Sequence, residues 1–257
     1  MAAGTYRARV IVLRKTCLGE SDLILTMLSE DGSQIRAVAK GARKPSSQFA
    51  SRLELYAVAE VLLASGRSLD IVKEARLVRG FKRIRSSMER AAGASGMAEL
   101  LDRVTQLGLE NEKLFALTES AFEHLDGAEI KAVPALTAAH ILKAMAFSGF
   151  RPSLATCVCC GKDVDLAQAG STIFVSYAEG GSICAACAPS NETIRLQSEV
   201  CAWANVFLVS TFDRIEAFDV DLSTSFSVLQ FCQSWVREHV GANLKSLQFF
   251  FTSGLFE

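Results

Sequence analysis

Residues 6–13 read YRARVIVL, residues 23–28 read LILTML and residues 34–39 read QIRAVA. The first run sets Arg7 and Arg9 on one face, the period-two alternation of a half-buried strand. The second is a short apolar run, and Glu30-Asp31-Gly32 then turns the chain into the third. Residues 55–64 and 69–74 add two more strands across Ser65-Gly66-Arg67-Ser68. Five short strands within the first 80 residues suit a small Greek-key barrel. The OB-fold is such a barrel: it closes its edges and keeps one face for oligonucleotides.

One long interruption separates the third and fourth strands. Residues 40–52, KGARKPSSQFASR, carry Lys40, Arg43, Lys44 and Arg52, while Gly41, Pro45, Ser46 and Ser47 deny the segment regular structure. A mobile basic loop beside a barrel is a plausible phosphate grip, and a solvated loop is its bland alternative. The charge distribution favours the grip. The net charge of −1 hides 16 Lys/Arg against 8 Asp/Glu in residues 1–85, and 11 against 20 in residues 86–257. A basic head on an acidic body points the head at a polyanion. Arg7, Arg9, Arg36, Lys40, Arg43, Lys44 and Arg52 are the candidate DNA-binding residues. Tyr6, Phe49 and Tyr56 are the sparse stacking candidates in this part of the chain, and Tyr6 and Tyr56 serve equally well as core.

From about residue 86 the period changes. Met97, Leu100, Leu101, Val104 and Leu107 follow helical spacing, as do Leu114, Leu117, Ala121, Phe122 and Leu125. A third stripe begins at Pro134 and stops at Gly149 and Pro152. Residues 199–209 and 226–240 read as two further helices. The expected fold class is α+β: an OB-fold barrel over residues 1–80, then a helical domain over 81–257 with a zinc module inserted at about 153–192.

The module rests on cysteine spacing. Cys157 and Cys160 form one C-x-x-C, Cys184 and Cys187 another, with 23 residues between them. Four thiolates so spaced suit one tetrahedral zinc ion at roughly 2.3 Å per sulfur. Gly161 lets the backbone turn tightly beneath the sulfurs. Cys159 reads as a spare thiol, and Cys17, Cys201 and Cys232 as core thiols. His124, His140 and His239 lie outside both knuckles, which argues for a closed structural site rather than a catalytic one. No βαβ pattern frames either pair as a thioredoxin-like motif would require.

With 257 residues, 50% of them hydrophobic, 17 Gly and 4 Pro, the chain is neither disordered nor collagen-like. No run of about 18 uncharged apolar residues signals a membrane span. The first nine residues lack a secretory core, so a cytoplasmic protein is expected. There is no Gly-rich Lys loop, Ser nucleophile elbow or anchored carboxylate pair, and the sequence reads as a non-enzyme.

Several pieces then carry a family resemblance in order along the chain. Gly19-Glu20-Ser21-Asp22, Asp31-Gly32 and Ala39-Lys40-Gly41-Ala42-Arg43-Lys44 with Ser47 resemble the N-terminal domain of RecO, a bacterial recombination mediator family. Gly149-Phe150-Arg151-Pro152 followed by Cys157-x-x-Cys160-Gly161 resembles its helix-to-zinc junction. His239-Val240-Gly241 and Leu244-Lys245-Ser246 resemble its last helix and tail. The resemblance implies single- and double-stranded DNA binding and strand annealing. It also implies work with RecR to load RecA onto DNA coated by single-stranded DNA-binding protein. That protein's acidic C-terminal tail would dock on the helical domain, with Arg90 and Arg103 as parts of a basic pocket. The rival reading is a protein-interaction adaptor with a structural zinc and no direct contact to nucleic acid.

Overall fold

The computed structural model describes residues 4–167 and 171–256. The chain separates into two compact units, Met1–Asp126 and Gly127–Glu257. The first opens with β1 (Thr5–Leu18), β2 (Asp22–Ser29), β3 (Gln34–Ala39), β4 (Val58–Ala64) and β5 (Asp70–Arg79), closed in the order β1-β2-β3-β5-β4. Only β3 and β5 pair in parallel, the arrangement of an OB-type barrel. Alternation fills the interior with Val10, Val12, Leu25, Met27, Ile35, Ala37, Val61 and Leu63. Ile11, Leu13 and Leu28 are also buried but lie outside that interior cluster, so part of the barrel's outer wall is covered too.

Three helices follow: α1 (Lys82–Ser86), α2 (Met88–Val104) and α3 (Glu112–Gly127). Helix α2 packs on β1. Tyr56 ties both longer helices down. Its hydroxyl lies 2.7 Å from Ser95 Oγ on α2, and its ring meets Phe122 of α3 edge-on. Its backbone sits in the left-handed region, φ 71°, held there by its N–H to Val12 O at 2.8 Å. The turn between β2 and β3 docks against the link between α2 and α3. Asn111 donates its amide to Asp31 O, and Gln34 donates its own to Gln106 O. A Cβ on Gly32 would lie 2.0 Å from Asn111 O, so glycine is required at this contact. The same docking corrects one sequence expectation. Leu107 belongs to no helix: α2 stops at Val104, Thr105 turns extended, and Leu107 is 85% exposed.

The second unit contains α4 (Val133–Phe147), a three-stranded sheet of β6 (Thr172–Ser176), β7 (Gly181–Ile183) and β8 (Ile194–Gln197), then α5 (Ser198–Val209), α6 (Phe212–Ala217), α7 (Leu222–Val240) and α8 (Lys245–Thr252). Helix α4 packs on α5 and α7. The stretch Ile130–Phe147 has a mean hydropathy of 1.3 and length enough to cross a membrane. It is 67% buried inside the protein and is punctuated by Lys131 and Lys143, which fits a core helix. Helix α7 begins four residues before its expected start because Asp221 caps it, accepting from the Thr224 amide at 2.8 Å. Gly241 ends it at φ 68°. Cys201 and Cys232 are buried as expected, but Cys17, near the end of β1, is exposed.

Candidate nucleic-acid interface and metal centre

The seven cations singled out in the sequence divide into two groups. Arg7 and Arg9 project from the outer wall of β1, where neighbouring strands supply carboxylates. Arg7 Nη2 lies 3.9 Å from Glu74 Oε2. Arg9 reaches Glu30 at 3.1 Å and makes a closer contact with Glu119, with its guanidinium 5.3 Å from the Phe115 ring centre. On the same wall Arg76 pairs with Glu60, and Arg79 with Glu119 and Glu123. A cleft of about 870 Å³ opens beside Arg7 and Arg9, and Glu30, Asp31, Glu112 and Glu119 line it. This wall carries arginines, yet its charge is largely cancelled.

Arg36, Lys40, Arg43, Lys44 and Arg52 are exposed, and among the described residues none of the five forms an ion pair. Arg36 stands on β3, in register with Thr26, which faces Arg14 on β1. The others lie on the connection from β3 to β4. That connection forms no helix or strand, as its composition suggested, but packing and turns hold it. Ala42, Phe49 and Leu53 point into the barrel interior, and successive turns bond Lys44 N to Gly41 O and Ser47 N to Lys44 O. Arg52 is tied down as well, donating to Ala75 O on β5 at 3.1 Å.

The tight turn between β1 and β2 fixes the basic segment from the other side. Asp22 Oδ1 accepts the Gly41 amide at 2.8 Å and the Ser21 hydroxyl at 2.9 Å. Arg43 donates its amide to Ser21 O at 2.9 Å and its guanidinium to Gly19 O at 3.1 Å. Asp22 is held below the usual carboxylate range, first by the Gly41 amide and then by Ser21, with Lys40 and Lys44 nearby. The sequence showed Gly19 to Asp22 as a motif without a role; its role as a strap depends on a register that only the closed barrel provides.

Stacking platforms are fewer than the sequence offered. Phe49 is 7% exposed and Tyr56 6%, both consumed by packing. Tyr6 remains accessible, with its hydroxyl bonded to Asp70. Arg90 is buried, donating from Nε to Leu125 O, so it belongs to helix packing rather than to a pocket; Arg103 is exposed.

In the second unit the two C-x-x-C pairs converge. The sulfurs of Cys157, Cys160, Cys184 and Cys187 all lie within 4.8 Å of one another, and among the described residues no His or carboxylate joins the group. Gly161 takes φ 73° and donates its amide to Cys157 O, the tight turn its position called for. Gly181 lets β7 press on Ser153, whose carbonyl oxygen would lie 2.0 Å from any Cβ there. The Cys184 amide points at Cys157 Sγ at 3.3 Å. That bond leads the effects that pull Cys157 down to about 6, and the Cys187 amide lowers Cys184. Cys187 is pushed up to about 12 because its thiol donates to Cys184 and Cys160. Amides aimed at sulfur stabilise thiolates, the form that binds metal. The four cysteines can therefore hold a metal ion, and an all-sulfur tetrahedral set is compatible with zinc. The apolar core beneath is small, Cys157, Ile183 and Ala188 with partly buried neighbours such as Phe174. Cys159 stands outside the four-sulfur group and is exposed.

The family model described as Recombination protein O N terminal matches residues 1–81. Recombination protein O C terminal matches residues 85–248. The chain belongs to the RecO family. Among curated relatives, the DNA repair protein RecO of Desulfitobacterium hafniense is 36% identical over 185 residues, 72% of this chain and 65% of that protein. That of Bifidobacterium longum is 35% identical over 185 residues, 70% of this chain and 73% of the relative. The protein from Caldanaerobacter subterraneus subsp. tengcongensis is 26% identical over 247 residues, with 95% and 96% covered. RecO family membership agrees with the closed five-stranded barrel, the helical region after it and the clustered cysteines.

Proposed function

We propose that this chain is a recombination mediator that binds single- and double-stranded DNA through Arg36, Lys40, Arg43, Lys44 and Arg52, with Arg7 at the margin and Arg9 mostly taken up by carboxylates. The observation that carries the reading is the group of five exposed cations left without ion-pair partners, four of them on a segment fixed in place. Annealing needs the repulsion between two phosphate backbones reduced while their bases stay accessible, and a cationic surface poor in stacking platforms meets that need. The same reading assigns RecR, and the acidic tail of the single-stranded DNA-binding protein, as partners in loading RecA, inside the bacterial cytoplasm and without covalent catalysis.

Zinc is the proposed metal, held by Cys157, Cys160, Cys184 and Cys187. When bound it supplies a closed tetrahedral crosslink to a segment whose apolar core is too small to hold it alone. Cys157→Ser is expected to lower the zinc content and unfold residues around 153–192, as read by metal analysis and proteolysis. Unchanged stoichiometry with an intact module would refute the assignment.

Strand annealing on complementary oligonucleotides, with and without single-stranded DNA-binding protein, tests the main reading. Annealing that persists on coated strands supports it. Absence of both annealing and DNA binding at moderate salt would favour the adaptor.

A further inference from the structure

Asp22 is an acidic residue at the centre of a surface that should attract phosphate, and simple electrostatics counts it as a defect. Its bonds say otherwise. Gly41, at φ 66°, presents its amide to Asp22 Oδ1, and the same oxygen takes the Ser21 hydroxyl. Ser21 O and Gly19 O accept from Arg43. Residues 19–22 thus grip residues 41–43 at three points. Lys40 and Lys44 flank that grip, while Phe49 and Leu53 anchor the far half of the segment in the barrel interior. Nothing apolar beyond Ala42 anchors the near half, so Lys40, Arg43 and Lys44 are placed by polar bonds to the β1–β2 turn.

We infer that Asp22 is a positioning residue for nucleic-acid binding: through the Gly41 amide it holds Lys40, Arg43 and Lys44 in a fixed phosphate-reading arrangement, at the cost of one unfavourable charge. This inference rests on the proposed role of those three cations. It makes the two simplest substitutions act in opposite directions. The amide oxygen of Asn keeps both accepted bonds and removes the charge, whereas Ala removes both.

The test measures binding of a fluorescent oligothymidylate against salt for wild type, Asp22→Asn, Asp22→Ala and Lys40→Ala/Arg43→Ala/Lys44→Ala, using the full chain. Trypsin cleavage within residues 40–44 and the thermal midpoint are read in parallel. Asp22→Asn is expected to bind at least as tightly as wild type. Asp22→Ala is expected to bind about fivefold more weakly, the usual net worth of one hydrogen bond, with faster cleavage at the loop and the midpoint nearly kept. Asp22→Ala tightening binding alongside Asp22→Asn would show that Asp22 acts only through its charge and would overturn the inference. Should the triple variant bind like wild type, the phosphate-grip reading itself fails. Should the triple variant lose binding while the two Asp22 variants behave alike, only the positioning role fails.

Discussion

The barrel shows two ways of carrying arginine. On the wall formed by β1, β4 and β5, each of Arg7, Arg9, Arg76 and Arg79 faces a carboxylate. On β3 and the connection to β4, five cations are exposed without one. Residue counts do not separate the two regions; the sequence assigned both to a single basic head. What separates them is whether Glu30, Glu60, Glu74, Glu119 and Glu123 fall opposite, and strand register and helix docking decide that. A surface arginine binds phosphate only if its charge is not already spent, and pairing across a sheet spends it.

The comparison can be broken most directly by removing cations from each region. Lys40→Ala/Arg43→Ala/Lys44→Ala is expected to weaken oligothymidylate binding by roughly tenfold or more. It should also lower the salt slope by about 2, at about 0.7 per lost contact. Arg76→Ala/Arg79→Ala should leave the slope where it was. Equal losses from the two variants would erase the distinction.

A smaller effect separates folding from binding on the paired wall. Arg9 is part-buried against Glu119, whose side chain is 14% exposed. Arg9→Ala is therefore expected to cost about 1–3 kcal/mol in denaturant unfolding, because Glu119 then keeps only the longer contact to Arg79 among the ion pairs of the described residues. The salt slope of DNA binding should not move. The smallest effect is the most selective. Glu60→Gln releases Arg76 and should raise the slope by up to about 0.7, with no measurable change in the unfolding midpoint. If the slope stays flat, Arg76 lies outside the path of the strand whether paired or not.

Much of this was legible from residue patterns. The turn at Glu30-Asp31-Gly32 gave β3 its full extent, and two C-x-x-C pairs with a glycine behind the first gave the four sulfurs now found together. Local rules failed wherever a distant segment decided. Leu107 kept helical spacing but was claimed by the docking of the α2–α3 link on the barrel. Phe49 looked like a stacking ring in a polar loop, and it is buried because the barrel end needed filling. Cys17 seemed apolar by type, yet its strand runs past the interior. The length between the two C-x-x-C pairs left room for the small hairpin of β6 and β7, but the strands themselves went unplaced, since strands of three to five residues carry too little pattern to register. The strap from Asp22 to Gly41 joins positions 19 residues apart, and composition cannot show it.

The family models meet between residues 81 and 85, a seam that invites a cloning boundary. Yet the compact unit runs on to Asp126, with Gly32 seated flush against Asn111 and Tyr56 pinned beneath Ser95 and Phe122. A fragment stopped at the seam would strip α2 from β1 and leave Tyr56 and the β2–β3 turn without the partners they dock on. Anyone wanting the barrel by itself should end the expressed piece beyond α3.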